Sequence, residues 1–386
     1  MRRLLVLASA MVFFDVAFFS AIAPLLPSYV SELGLNKAEA GVLSASYAAG
    51  TLIFSLPAGL LAARIGPRRT VIAGLLLLGC SSVAFGFADQ FLLLDVARFA
   101  QGASGALIWS GALTWLITAA PPERRGAVIG AALGTAVAGA LLGPALGALA
   151  AEVGTEVVFS AVLGVALVLV FFAARLPEGE APEPQDLRVV AETILSRPIL
   201  IGTAFVAIPS LMFGAVEVLA PLQIAGLGGG HTLIAAGFIA GAALEAVLAP
   251  IVGGYSDRAG RRRPYVVGLS ICAVAMVAVA MGAAMGVVLA GVMLTSLGGG
   301  ICFTPALTML SEAAESSRLH QGFSAGLSNM AWAAGQVIGG LSGGGVASVA
   351  GNAAPGIAIA ALLFGTAAYS FHSLSPAAIP TPEVGR

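Results

Sequence analysis

The chain has 386 residues, 59% of them hydrophobic and only 10% charged, with a formal net charge of −1. Soluble domains carry about 25% charged residues, so this composition cannot build a water-facing globular surface. A soluble enzyme, a nucleic-acid binder and a disordered chain are excluded, and the near-neutral balance offers polyanions no basic face.

A membrane-crossing helix takes about 20 apolar residues, so twelve crossings use about 240 and leave short loops. Met1-Arg2-Arg3 followed by an apolar run imitates a signal peptide. That run continues through Asp15 to Tyr29, too long for such a leader, and reads as an uncleaved first span. Uncharged runs place spans near 4–30, 40–62, 70–88, 91–119, 126–150, 157–174, 198–224, 232–255, 264–283, 287–310, 321–349 and 353–373. The long run from Pro264 to Ser311 divides at Gly282–Gly286, and the run from Leu319 to Pro382 divides near Gly351-Asn352.

With this division, alternate loops hold Arg2 and Arg3; Arg64, Arg68 and Arg69; Arg124 and Arg125; Arg175, Arg188 and Arg197; Arg258 and Arg261 to Arg263; Arg318; and Arg386. Only Lys37 falls in an opposite loop, and Arg98 lies inside a span. The positive-inside rule then predicts that both termini are cytoplasmic. The polar stretch 176–197 reads as a linker between a bundle at 1–175 and a bundle at 198–374, with a tail at 375–386.

The two halves repeat. Gly59, Ala63, Arg64, Gly66 and Arg68 recur 194 residues later as Gly253, Asp257, Arg258, Gly260 and Arg262. Gly130, Gly139, Gly143 and Gly147 recur 196 residues later as Gly326, Gly335, Gly339 and Gly343. Two independent patterns at nearly one offset predict an all-α polytopic protein built as two pseudo-symmetric six-helix bundles. In such parallel repeats the site lies between the halves.

An ionised side chain at mid-bilayer costs about 2.5–3.5 kcal/mol, so charges within spans face a cavity or a partner. Five lie there: Asp15, Asp95, Arg98, Glu217 and Glu245. Asp15 is 11 residues past Leu4, roughly 16 Å deep. Phe14, Phe18 and Phe19 flank it, and it suits a proton carrier or the counter-charge of a cationic substrate. Glu217 lies four residues before Pro221, which predicts an irregular helix there; it is a site residue or snorkels outward. Glu245 shares a helix stripe with Gly237, Gly241, Ala249 and Gly253. It points into protein, as a second proton site or a structural hydrogen bonder. Asp95 and Arg98, three residues apart, face one another as a local ion pair. Gly139, Gly143 and Gly147 form one smooth face, kinked by Pro144, along which the halves approach. Trp109, Trp115 and Trp332 either line the cavity or simply pack, and packing is the expectation. The three cysteines and three histidines show no metal or disulfide spacing.

The stretch from Gly59 to Arg69 resembles the signature loop between helices 2 and 3 of the major facilitator superfamily. Arg98-Phe-Ala-Gln-Gly102 resembles its helix-4 motif, where the arginine influences the proton site. The run from Gly130 through Gly139, Gly143, Pro144 and Gly147 resembles the helix-5 motif of its proton-driven antiporters. Phe14-Asp15, Ala23-Pro-Leu-Leu-Pro27 and Glu123-Arg124-Arg125-Gly126 are similar to drug exporters and vesicular monoamine transporters. In those transporters a helix-1 acid binds the amine, and acids in helices 7, 10 and 11 serve binding and coupling. Asp15 matches the first. Glu217 sits near the helix-7 position but out of register, and Asn329 stands where the helix-11 acid would be. The signature loop has Ala63 where the family has the Asp that holds the gate shut, whereas Asp257 is present in the second half.

The resemblance implies the major facilitator fold and a proton-coupled antiporter, working as a monomer in the inner membrane, that exports small amphipathic or cationic compounds. An uptake symporter for a small metabolite is the alternative, and a non-transporting sensor or assembly partner a remote one. The expected partners are a small molecule, protons and the lipid bilayer. No cofactor, metal, nucleic acid or enzymatic chemistry is expected.

Overall fold

The computed structural model describes residues 1–121, 125–179, 192–317 and 321–373. Glu123, Arg124, Arg188, Arg318, His320, linker residues 180–191 and the tail 375–386 lie outside the described residues, as does the side chain of Asp257.

Thirteen helices follow one another among the described residues: α1 Arg2–Ser20, α2 Ile22–Glu32, α3 Lys37–Ile65, α4 Pro67–Gly86, α5 Phe91–Ala119, α6 Arg125–Val153, α7 Thr155–Ala174, α8 Arg197–Gly226, α9 His231–Ala259, α10 Arg262–Met281, α11 Met285–Ser316, α12 Gln321–Ala350 and α13 Ala353–Ser373. Eleven spans satisfy the length and hydropathy of a membrane crossing, with α1 and α2 counted together. The thirty-residue α12, free of charged residues, makes the twelfth crossing. The ends agree with the expected spans to within a few residues. The largest difference is α11, which runs six residues past the expected end at residue 310.

The first span is interrupted at Ala21 because Pro24 has no N–H to give the carbonyl of Ser20. Pro221 was expected to disturb α8 in the same way, but α8 continues unbroken from Arg197 to Gly226. There the missing donor leaves the Glu217 carbonyl without its helical partner while the surrounding turns hold the helix. The α3 N-terminus is set by a capping box: Asn36 accepts from the Ala38 and Glu39 amides, and Glu39 accepts from the Asn36 amide. The two signature loops turn at Gly66 (φ +91°) and Gly260 (φ +83°), conformations that glycine reaches without strain.

Each half has its own buried apolar core. The halves meet where α3 packs on α12 and α6 on α9. The expected antiporter stripe does not form this seam. A side chain at Gly139, Gly143 or Gly147 would collide with α1, at Phe13, Ala17 and Ala21 respectively. Its repeat, Gly335, Gly339 and Gly343, packs likewise on α8. Spacing of four makes a smooth face, but that face lets helices of one half touch closely. Pro144 lies within the same close-packed helix.

The close seam between halves is instead at Gly41 of α3 against Gly340 and Gly344 of α12, at the arginine-poor face. Lys37 Nζ donates to Asn352 Oδ1 (2.6 Å), Asn352 Nδ2 to Gln223 Oε1 (2.7 Å), and Gln223 Nε2 to the Gly282 carbonyl (3.0 Å). Beside this chain, His231 Nδ1 donates to the Pro24 carbonyl (2.7 Å), and its Nε2 meets Ser28 Oγ at 3.3 Å. At the arginine-rich ends of α3, α6 and α12, Gly59, Gly130, Gly134 and Gly326 have no atom within 4 Å of a would-be Cβ among the described residues. The halves are clasped at the arginine-poor face.

Candidate functional site

Asp15 is 1% exposed and stands where α1, α3 and α5 converge. Tyr47 Oη donates to both carboxylate oxygens (2.9 and 3.0 Å), and Trp109 Nε1 donates to Oδ2 (3.1 Å). Space for the carboxylate comes from Gly105 of α5, whose would-be Cβ lies 3.0 Å from Asp15 Oδ1. The neighbouring Gly102 and Gly50 let α3 and α5 approach backbone to backbone. Trp109 was expected merely to pack; it is a ligand of Asp15. Tyr47 had no sequence signal, since a tyrosine in an apolar run reads as core.

Asp95 and Arg98 do not form the expected ion pair. Asp95 accepts from Ser46 Oγ, and Arg98 turns the other way, into the core. Because α1 ends at Ser20, its last carbonyls lack helical donors and carry the negative end of the helix dipole. Arg98 takes these sites: Nη1 donates to the Phe18 carbonyl (3.1 Å) and Nη2 to that of Phe19. Nη1 also donates to Gln101 Oε1 (3.0 Å), and Gln101 Nε2 reaches Ser82 (3.2 Å). The guanidinium stacks over Tyr47 (5.1 Å) and Phe19 (5.7 Å), and its Nε has no hydrogen-bond partner among the described residues. Arg98 therefore acts on Asp15 and Glu217 through space, without a salt bridge to either.

Glu217 points inward, which removes the snorkelling alternative. It accepts from Ser44 Oγ of α3 (3.4 Å), across the boundary between halves. Phe19 packs edge-on against Trp332 of the C-terminal half (5.2 Å) and against Tyr47 (4.8 Å). Phe19 thus belongs to the site, whereas Phe18 packs on Phe159 in the core. Asn329, on α12, is half-buried and makes no hydrogen bond among the described residues. Glu245 is brought to none of these groups; it packs against Gly300 of α11.

Of the residues expected to gate, Arg64 and Arg258 sit in the last turns of α3 and α9, where a cation suits the helix dipole. The acid missing at position 63 has a substitute from the linker. Glu178 Oε2 lies 2.9 Å from Arg68 Nε, and its Oε1 accepts from the Arg68 amide at the start of α4 (3.1 Å). Arg68 Nη1 also donates to the Leu176 carbonyl (2.8 Å). This pair lies inside one half and fixes the loop without joining the halves.

Two six-helix halves enclosing carboxylates and a buried arginine define a secondary-transporter architecture. The sequence model of the Major Facilitator Superfamily matches residues 6–340 and, in an overlapping second match, 245–384. The chain belongs to this superfamily and is a membrane transporter of its kind. A stretch of 106 residues is 31% identical to the quinolone resistance protein NorA of Staphylococcus aureus (strain MRSA252), covering 28% of this chain and 27% of NorA. A stretch of 124 residues is 31% identical to the MFS-type transporter ppzB of Metarhizium majus, covering 31% of this chain and 27% of that protein. The matches thus span about a quarter of these curated relatives. Among solved structures, a bacterial homolog of the human lysosomal transporter Spinster, in an inward-facing and unoccupied conformation, superposes with TM-score 0.76 at 13% identity, covering 95% of each chain. A D-xylose-proton symporter superposes with TM-score 0.75 at 17% identity, covering 97% of each chain. These two likenesses show the fold.

Proposed function

We propose that this transporter is a proton-coupled antiporter that exports small amphipathic or cationic organic compounds by alternating access. The observation that carries the reading is Asp15: a buried carboxylate held by two neutral donors, with the nearby arginine occupied elsewhere. Such a group can exchange a proton for a cation because no salt bridge has to break first. Aromatic faces from both halves, Phe19, Tyr47 and Trp332, suit the apolar body of an organic cation. Glu217 supplies a second carboxylate across the seam, so its contact with Ser44 changes whenever the halves rock. The similarity to NorA, a quinolone resistance protein, supports export of organic compounds.

Arginine placement puts both termini in the cytoplasm. With that orientation the clasped, arginine-poor face is the outer one, as expected of an inward-facing state of the cycle. In the cycle, an inward-moving proton neutralises Asp15, the cation leaves outward, and the halves rock back. The test is flux in liposomes holding the purified chain under an imposed pH gradient, with a panel of organic cations. Substrate moving against the proton supports antiport. Co-movement would favour the symporter, and no flux for any compound the non-transporting reading.

A further inference from the structure

The spans hold four carboxyl groups, Asp15, Asp95, Glu217 and Glu245, against one base, Arg98. Three of the four have hydrogen-bond donors: Tyr47 and Trp109 for Asp15, Ser46 for Asp95, and Ser44 for Glu217. Glu245 has no hydrogen-bond or ion-pair partner among the described residues. It lies near the middle of α9, fourteen residues after His231.

Its direction follows from the exposure pattern. Ala236, Ala243, Val247, Ile251 and Gly254 are exposed and recur on one face of α9. Glu245 is two residues from both Ala243 and Val247, so it projects from the opposite face. It nonetheless remains half-buried, not sealed. A side chain that faces away from lipid and keeps accessible surface looks into the space between the halves.

The wall it stands on is built by three successive glycines of α11. Gly298 lies against Cys272 of α10, Gly299 against the ring of Phe213 of α8, and Gly300 against Glu245, whose Cγ is 3.0 Å from a would-be Cβ. Phe213 and Phe303 pack ring to ring there (5.6 Å). Phe303 lies one turn beyond Gly300 on α11, so the carboxylate and the aromatic pair share a wall, and that combination is the chemistry that recognises an organic ammonium or phosphonium. Among the described residues no cation forms an ion pair with it. On α11 the Cys302 thiol lies near it, and Glu312 and Glu315 lie toward the far end of that helix. The other helices packed on α9 offer little: α10 carries Cys272 and Tyr265, with Arg262 and Arg263 confined to its first turn, α2 has Tyr29 and Glu32 toward its far end, and α6 has no titratable side chain between Gly126 and Ala151.

We propose that Glu245 is a cation-binding carboxylate of the C-terminal half, separate from the Asp15 cluster, which holds a proton when empty and releases it to water when an organic cation takes its place. The export reading contributes only the choice of organic cations as ligands; the site itself stands without transport.

The test uses the full chain in detergent, with tetraphenylphosphonium as probe, and records proton release together with equilibrium binding. The double variant Asp15→Asn/Glu217→Gln is expected to keep one saturable site that releases a proton for each cation bound. Adding Glu245→Gln is expected to abolish that release. No release from the double variant, or release that persists in the triple variant, overturns the proposal. A second measurement needs no variant. Dicyclohexylcarbodiimide, which modifies protonated carboxyls in apolar surroundings, should label Glu245 in the wild-type chain, and the probe should protect it. Absence of labelling or of protection overturns the proposal equally. Failure of gradient-driven flux in liposomes would sink the export reading and leave both of these results standing.

Discussion

Replacing Asn352 by Ala cuts the polar chain that clasps the arginine-poor face. It removes the acceptor of Lys37 Nζ (2.6 Å) and the donor to Gln223 (2.7 Å). A hydrogen bond from a charged donor contributes about 1.5–3 kcal/mol and a neutral amide pair about 0.5–1.5 kcal/mol. Water replaces part of both at this half-buried position, so the clasped state should lose about 1.5–3 kcal/mol relative to the open one. At 1.4 kcal/mol per factor of ten, the ratio of open to clasped molecules rises about 10- to 100-fold. The His231 contacts to Pro24 and Ser28 remain and limit the change. Spin labels on the outer ends of α3 and α12 would read it as a growing long-distance population. A distance distribution identical to wild type would refute the argument and show that the glycine seam at Gly41, Gly340 and Gly344 closes this face unaided.

Three further changes probe the site. Gly102→Ala drives a methyl into the Tyr47 backbone and should destabilise the chain by about 1–3 kcal/mol, read as a lower thermal midpoint in detergent. Tyr47→Phe removes a donor to both Asp15 oxygens, a loss of about 1–3 kcal/mol. It should slow gradient-driven export at least several-fold and also lower the thermal midpoint in detergent. Pro24→Ala restores the helical donor to the Ser20 carbonyl and removes the proline ring beside the turn whose Phe18 and Phe19 carbonyls Arg98 takes. Higher thermal stability with impaired transport is expected; unchanged transport would mean that the break has no part in the cycle.

The spans, their order and the two-fold repeat were legible because each is written in one dimension: charges punctuate apolar runs, and Gly66 and Gly260 mark the same turn twice. Asp15 was legible from depth alone. What sequence did not reveal is which surfaces meet. Gly139, Gly143 and Gly147 show a smooth face, but nothing in their spacing says that α1, not the other half, lies against it. Asp95 and Arg98 share a helix face, yet each found a closer partner on another helix, Ser46 and the carbonyls of Phe18 and Phe19. Tyr47 and Trp109 become ligands of Asp15 only when three helices converge. Glu178 was hidden in a polar stretch that reads as linker, although it serves Arg68 where the loop itself has Ala63. His231, near a span end and without a neighbour in sequence, turned out to bridge the halves.

The central claim is that Asp15 exchanges its proton for a cation and so couples the gradient to export. Asp15→Asn keeps the shape of the side chain and the donors around it but removes the charge. In liposomes with an imposed pH gradient, the wild-type chain should move an organic cation against its concentration gradient. Asp15→Asn should lose this uphill movement entirely and bind the cation more weakly, while any neutral substrate still exchanges downhill. If the variant still drives a cation uphill, Asp15 is not the coupling group and the account built on it is wrong.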